Sequence, residues 1–107
     1  MKYEVMVVEE AETDLLEIYR YVAFNDSLEK ADEPLDKLED VIKALDHLPT
    51  RGHVPPELRK IGVTDYREVH IKPYRVIYRV EGRRVFVYCI LDGRRDLQSL
   101  LQTRLLR

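Results

Sequence analysis

The hydrophobic pattern of this chain changes period once, near Tyr66, and that switch limits the fold more than any other feature. Before it, apolar residues recur at three- and four-residue spacing, as on one face of a helix; after it they recur every second residue, as on one face of a strand. Within Glu10 to Phe24, the residues Ala11, Leu15, Ile18, Tyr19 and Val22 make one helical stripe. Asn25, Asp26 and Ser27 interrupt it and supply side chains able to cap a second helix. That segment carries a seam of Leu28, Ala31, Leu35, Leu38, Ile42 and Leu45, so an antiparallel helical hairpin is expected. Pro34 falls within it and predicts either a kink or a regular helix that begins at Asp32 to Pro34, with proline in the first turn.

Beyond the turn formers Gly52, Pro55, Pro56 and Gly62, three alternating segments follow: Tyr66 to Ile71, Tyr74 to Val80 and Val85 to Leu91. Lys72-Pro73 and Glu81-Gly82-Arg83 separate them and are short enough for hairpins, which predicts an antiparallel meander. Leu97, Leu100, Leu101 and Leu105 fall on one stripe of a final short helix. At the start, residues 3–8 are apolar and β-branched, and the acidic cluster Glu9, Glu10, Glu12 and Asp14 behind them suits the first turn of a helix. The expected fold is α+β in the order β-α-α-β-β-β-α, an antiparallel sheet packed on a helical hairpin, with residues 3–8 at the sheet edge. A chain of 107 residues is expected to form a single domain spanning 1–107. Both faces of the strands carry apolar residues, so alternation alone does not say which arginines are exposed.

Charge divides along the same line as period. Residues 1–50 hold 5 basic against 14 acidic side chains, a net of −9, whereas residues 51–107 hold 13 against 6, a net of +7. A cationic second half suggests an anionic contact, in nucleic acid, the ribosome or an acidic partner protein. No segment approaches the ~20 apolar residues that span a bilayer, and Met1 to Glu10 lacks the pattern of a secretory signal, so a cytoplasmic protein with no membrane association is expected. Cys89, the only cysteine, is expected to be a buried, inert thiol within an apolar run.

Familiar catalytic patterns are absent: no glycine-rich phosphate loop, no nucleophile elbow and no metal-spaced His/Cys cluster. His47, His53 and His70 are scattered and read as ordinary surface or core histidines, so no metal and no cofactor is expected. What remains is arginine placement: Arg67, Arg75, Arg79, Arg83, Arg84, Arg94 and Arg95 lie on or beside the meander, interleaved with Tyr66, Tyr74, Tyr78 and Tyr88. Guanidinium groups bind phosphate in bidentate fashion and tyrosine rings stack on unpaired bases, so this mixture suits RNA or a ribosomal surface, and equally a protein.

The order of a helix pair, Gly52, "VPPEL" at Val54 to Leu58, "YREV" at Tyr66 to Val69, "PYRVIYRV" at Pro73 to Val80 and "ILDGRRDL" at Ile90 to Leu97 resembles the RelE/ParE toxin superfamily of bacterial type II toxin–antitoxin systems. The resemblance covers almost the whole chain. It implies a toxin held inactive by a cognate antitoxin whose segment wraps it, and a higher-order toxin–antitoxin complex. Two branches differ in class. RelE-like members cleave mRNA on the ribosome and need groups that activate a ribose hydroxyl and protonate the leaving oxygen, whereas ParE-like members poison DNA gyrase. For the ribonuclease branch the resemblance makes Arg75 and Glu57 the catalytic candidates; for binding of the target or antitoxin it points to Arg67, Tyr74, Arg94 and Arg95. The C-terminal His-Tyr or Tyr of many ribonucleases is missing. Gly93-Arg94-Arg95-Asp96 stands in its place and resembles the "HGRRD" ending of ParE-like toxins, with Asp92 where histidine is usual. Arginine is effectively always protonated and is a poor general acid or base, which favours the ParE-like branch. An endoribonuclease, or a non-toxic interaction module on the same fold, stands as the alternative.

Overall fold

The computed structural model describes residues 2–93 and 97–105. Strand β1 (Glu4–Val7) leads into helix α1 (Glu9–Asn25). Val8 caps that helix without a side-chain hydrogen bond, and Glu9, Glu10 and Glu12 place carboxylates against the positive end of its dipole instead. Helix α2 (Leu28–Lys43) starts where the Ser27 hydroxyl accepts the Lys30 N–H at 3.1 Å. Pro34 therefore lies inside α2, and the helix begins well before Asp32. The carbonyl that loses its donor to the proline ring is that of Lys30, an exposed residue.

Two 3₁₀ turns, Ala44–Asp46 and Pro49–Arg51, carry the chain to α3 (Pro56–Arg59), a single helical turn in a stretch that the sequence presents as loop. Pro56 at its first position has a helical φ built in, and buried Leu58 anchors it. Strands β2 (Tyr66–Ile71), β3 (Tyr74–Glu81) and β4 (Arg84–Asp92) then form the antiparallel meander, and α4 (Leu97–Leu105) follows. The sheet order is β1-β4-β3-β2. Strand β1 takes an edge, as expected, but runs parallel to β4, with Glu4 opposite Arg84 and Val7 opposite Val87, so the sheet is mixed. Among the described residues no helix is long and apolar enough to cross a membrane.

Helices cover both faces. Val76, Tyr78, Val85, Val87 and Ile90 pack on Ala11, Leu38, Ile42 and Leu45 of the hairpin side. Tyr66, Ile77, Cys89 and Leu91 pack on Leu58 of α3 and Leu101 of α4 on the other. Parity along β4 does not separate the two layers because the strand carries a bulge. Tyr78 pairs with Val87 and Ile77 with Cys89, so Tyr88 is one extra residue and the alternation restarts after it.

Strand β1 ends opposite Val87, and side chains serve the outer edge of β4 beyond that point. Asp14 of α1 accepts the Ile90 N–H at 2.9 Å, and Arg104 of α4 donates from Nη2 to the Tyr88 carbonyl at 2.9 Å. Arg104 Nη1 also reaches both Asp14 oxygens, at 3.0 and 2.9 Å. An ion pair thus satisfies backbone groups that a longer β1 would have paired. Burial pushes the Asp14 carboxyl above its ordinary value, against the pull of the Ile90 amide and the Arg104 guanidinium.

Candidate functional site

The α3 side of β2 holds a charged cluster whose placement follows from strand geometry. Period two puts Tyr66, Glu68 and His70 on one face of β2, and the register sets Arg75 of β3 directly opposite His70. On the outer side of β2 an isolated bridge pairs His53 with Glu68: the His53 N–H donates to the Glu68 carbonyl at 3.2 Å and the Glu68 N–H to the His53 carbonyl at 2.7 Å. His53, Glu68, His70 and Arg75 therefore converge although they are spread over three segments of chain. Glu57 reaches the group from α3.

Glu68 is completely buried, and Arg75 neutralises it. Arg75 Nε and Nη2 donate to the two Glu68 oxygens at 2.6 and 2.8 Å. The same guanidinium grips Glu57 with a second pair of bonds, Nη1 to Oε2 at 2.7 Å and Nη2 to Oε1 at 2.8 Å. The Arg75 side chain is only 11% exposed. These hydrogen bonds, outweighing the opposing effect of burial, hold the Glu57 carboxyl below its ordinary value. The Arg75 pKa rises for the same first reason, its bonds to Glu57. His70 Nε2 contacts Glu68 Oε1, and His53 Nε2 lies 3.5 Å from Glu68 Oε2. The two imidazoles stand edge to face with centroids 5.3 Å apart. Lys72, Pro73, Tyr74 and Gly93 complete the rim of the cleft above them.

The residues singled out from the sequence separate in space. Arg75 and Glu57 are paired with each other. Arg67 lies on the opposite face of β2, where its Nη1 donates to the carbonyls of Thr50 and Gly52 at 3.2 and 2.8 Å and ties the loop before α3 to the sheet. Tyr74 lines this cleft and also a second one between α1 and the end of β4, alongside Asp14, Glu17, Ile18, Tyr21, Ile90 and Asp92. Arg94 and Arg95 lie outside the described residues. Sequence reasoning missed Glu68 and treated His53 and His70 as isolated. The signal available was Glu68-Val69-His70 within a strand, since acidic and imidazole groups two apart share a face.

Residues 5–97 match the family model described as the ParE toxin of the type II toxin–antitoxin system parDE. The chain belongs to the ParE toxin family. Toxin ParE3 of Caulobacter vibrioides is 33% identical over 88 residues, covering 82% of this chain and 84% of that protein. Among solved structures, the chromosomal ParDE toxin–antitoxin system of P. aeruginosa superposes with a TM-score of 0.72 at 20% identity, over 85% of this chain and 96% of that one. The RelBE2 toxin–antitoxin complex of Mycobacterium tuberculosis does so at 0.63 and 18% identity, over 86% and 92%. These two likenesses establish the fold that ParE and RelE toxins share. Family membership makes the protein a type II toxin.

Proposed function

We propose that this ParE-family toxin acts without cutting RNA, by binding and inhibiting DNA gyrase in the cytoplasm, and that a cognate antitoxin neutralises it. The observation that carries the reading is the double clamp on Arg75. A ribonuclease would turn that guanidinium toward a scissile phosphate, yet four of its hydrogen bonds already go to Glu57 and Glu68. Glu57, the candidate base, is held in its ionised form by the same pair, and its lowered pKa makes it a weaker proton acceptor than a group poised near neutrality. Each candidate catalytic residue satisfies the other. Recognition of the target or antitoxin then falls to groups outside the clamp, and Tyr74, Arg94 and Arg95 are the proposed contacts.

Two assays test this. Purified protein is expected to inhibit supercoiling by gyrase and to leave mRNA intact in a translating ribosome system. Site-specific cuts that disappear in Arg75→Ala, with gyrase unaffected, would establish the ribonuclease reading instead. Expression of the protein without its antitoxin is expected to arrest growth; normal growth with soluble protein present would support a non-toxic interaction module.

A further inference from the structure

We propose that His53, Glu68 and His70 form a binding site for a divalent transition-metal ion of the zinc class. One nitrogen from each imidazole and one carboxylate oxygen all lie within 4.8 Å of one another. Zinc takes histidine nitrogen at about 2.0–2.1 Å and carboxylate oxygen at about 2.0–2.2 Å, so the edges of its tetrahedron are roughly 3.4 Å. The His53 Nε2 to Glu68 Oε2 separation is 3.5 Å, already that length. The imidazoles are 60% and 52% exposed and can swing the remaining distance, while the carboxylate they face is fixed.

Within the cluster two carboxylates, Glu57 and Glu68, share the single guanidinium of Arg75, and imidazole binds metals in its neutral form. Arg75 repels an incoming cation less than an isolated arginine would, because Glu57 grips its far side with two bonds. A carboxylate has about four lone-pair sites. Arg75 uses one on each Glu68 oxygen, and each oxygen still faces one imidazole. In this arrangement Arg75 does what outer-shell groups do at metal sites, fixing the ligating carboxylate in place. Lys72, on the rim of that cleft, and Arg51, which lines the adjoining cleft with His53, Glu68 and His70, are cations that oppose binding. Two imidazoles and a carboxylate with an open fourth position suit zinc, and imidazole also accepts nickel and copper.

The ion would join the His53 loop to β2, an edge strand, across a contact now made by the two bridge hydrogen bonds. Untagged protein, stripped of metal with a chelator, is to be titrated with zinc chloride by calorimetry and with cobalt(II) chloride by visible absorption. The expected result is one equivalent per chain, a tetrahedral cobalt(II) spectrum, and a rise in Tm of on the order of 10 °C at a hundredfold excess over Kd. His53→Ala and His70→Ala are each expected to weaken zinc binding at least tenfold with unchanged circular dichroism. His47→Ala, whose imidazole pairs with Asp46, should bind as the parent does. No heat and no cobalt(II) spectrum up to about 100 μM metal would overturn the proposal, as would retention of binding in His53→Ala/His70→Ala or its loss in His47→Ala.

Discussion

On the hairpin side of the sheet, Val76, Val85, Val87 and Ile90 meet Leu38, Ile42 and Leu45, and the Tyr78 hydroxyl is the polar group set among them. On the α3 side, Ile77, Cys89 and Leu91 share their layer with a buried carboxylate and a nearly buried guanidinium. Hydrocarbon layers tolerate exchange of one apolar group for another of similar volume. A buried ion cluster does not, because removing one member strands the others without solvent. The two faces should therefore fail in different ways.

The sharpest separation comes from Arg75→Ala, which removes the guanidinium that Glu68 and Glu57 share and leaves only the His53 and His70 imidazoles beside Glu68. A loss of about 3–5 kcal/mol in urea unfolding is expected, and a loss below about 1 kcal/mol would mean that the cluster is hydrated and the faces are alike. Replacing the whole group, in Glu57→Leu/Glu68→Leu/Arg75→Met, should be far milder than Arg75→Ala and can even stabilise the fold, since no orphaned charge remains. On the hairpin side the matching change is Tyr78→Phe. The Tyr78 hydroxyl donates to the Pro49 carbonyl at 2.6 Å and accepts the Gly52 N–H at 3.1 Å, so its removal leaves two backbone groups unserved. About 1–3 kcal/mol is expected, by the same unfolding measurement.

Acid titration sharpens the comparison at a smaller scale. Glu57 has a folded pKa below the ordinary 4.5, so its stabilising contribution is present above that value and is lost as pH falls through the depressed one. Asp14 has a folded pKa above the ordinary 3.8; its shift favours the folded state in acid, and that contribution is lost as pH rises through the raised value. Between about pH 5 and pH 3, Glu57→Gln should therefore lose stability less steeply than the parent and Asp14→Asn more steeply, read from urea midpoints. Smallest of all should be Phe24→Ser at the tip of the hairpin, where the ring is 91% exposed; a change within about 0.5 kcal/mol is expected, and a larger one would show that the ring packs in solution.

The order of the strands and longer helices, the strand limits and a cap among Asn25, Asp26 and Ser27 were legible because each rests on local chemistry: a period, a turn residue, a polar side chain before an apolar run. The parallel pairing of β1 was not, because nothing local distinguishes a parallel edge strand from an antiparallel one. Tyr88 hid the layer assignment in the same way, since a bulge is a single extra residue without a composition of its own. For the site, the resemblance already named Arg75 and Glu57, while the pairing of Glu68 with His70 was available from the strand repeat but was missed. His53 could not have been found from either. It joins through a bridge between a loop and an edge strand, and only tertiary structure fixes that contact. The charge split also changed meaning, because Arg75 and Arg104 spend their charge on internal carboxylates rather than on a surface.

The pairing of Glu4 with Arg84 imposes an order of events during synthesis. The partner of β1 is translated some eighty residues after it, which at 5–20 residues per second is roughly 4–16 s. Through that interval β1 has no strand to join, while the hairpin and the first two strands of the meander are already free to form. Completion of the sheet, and with it any activity that depends on the finished fold, waits for β4.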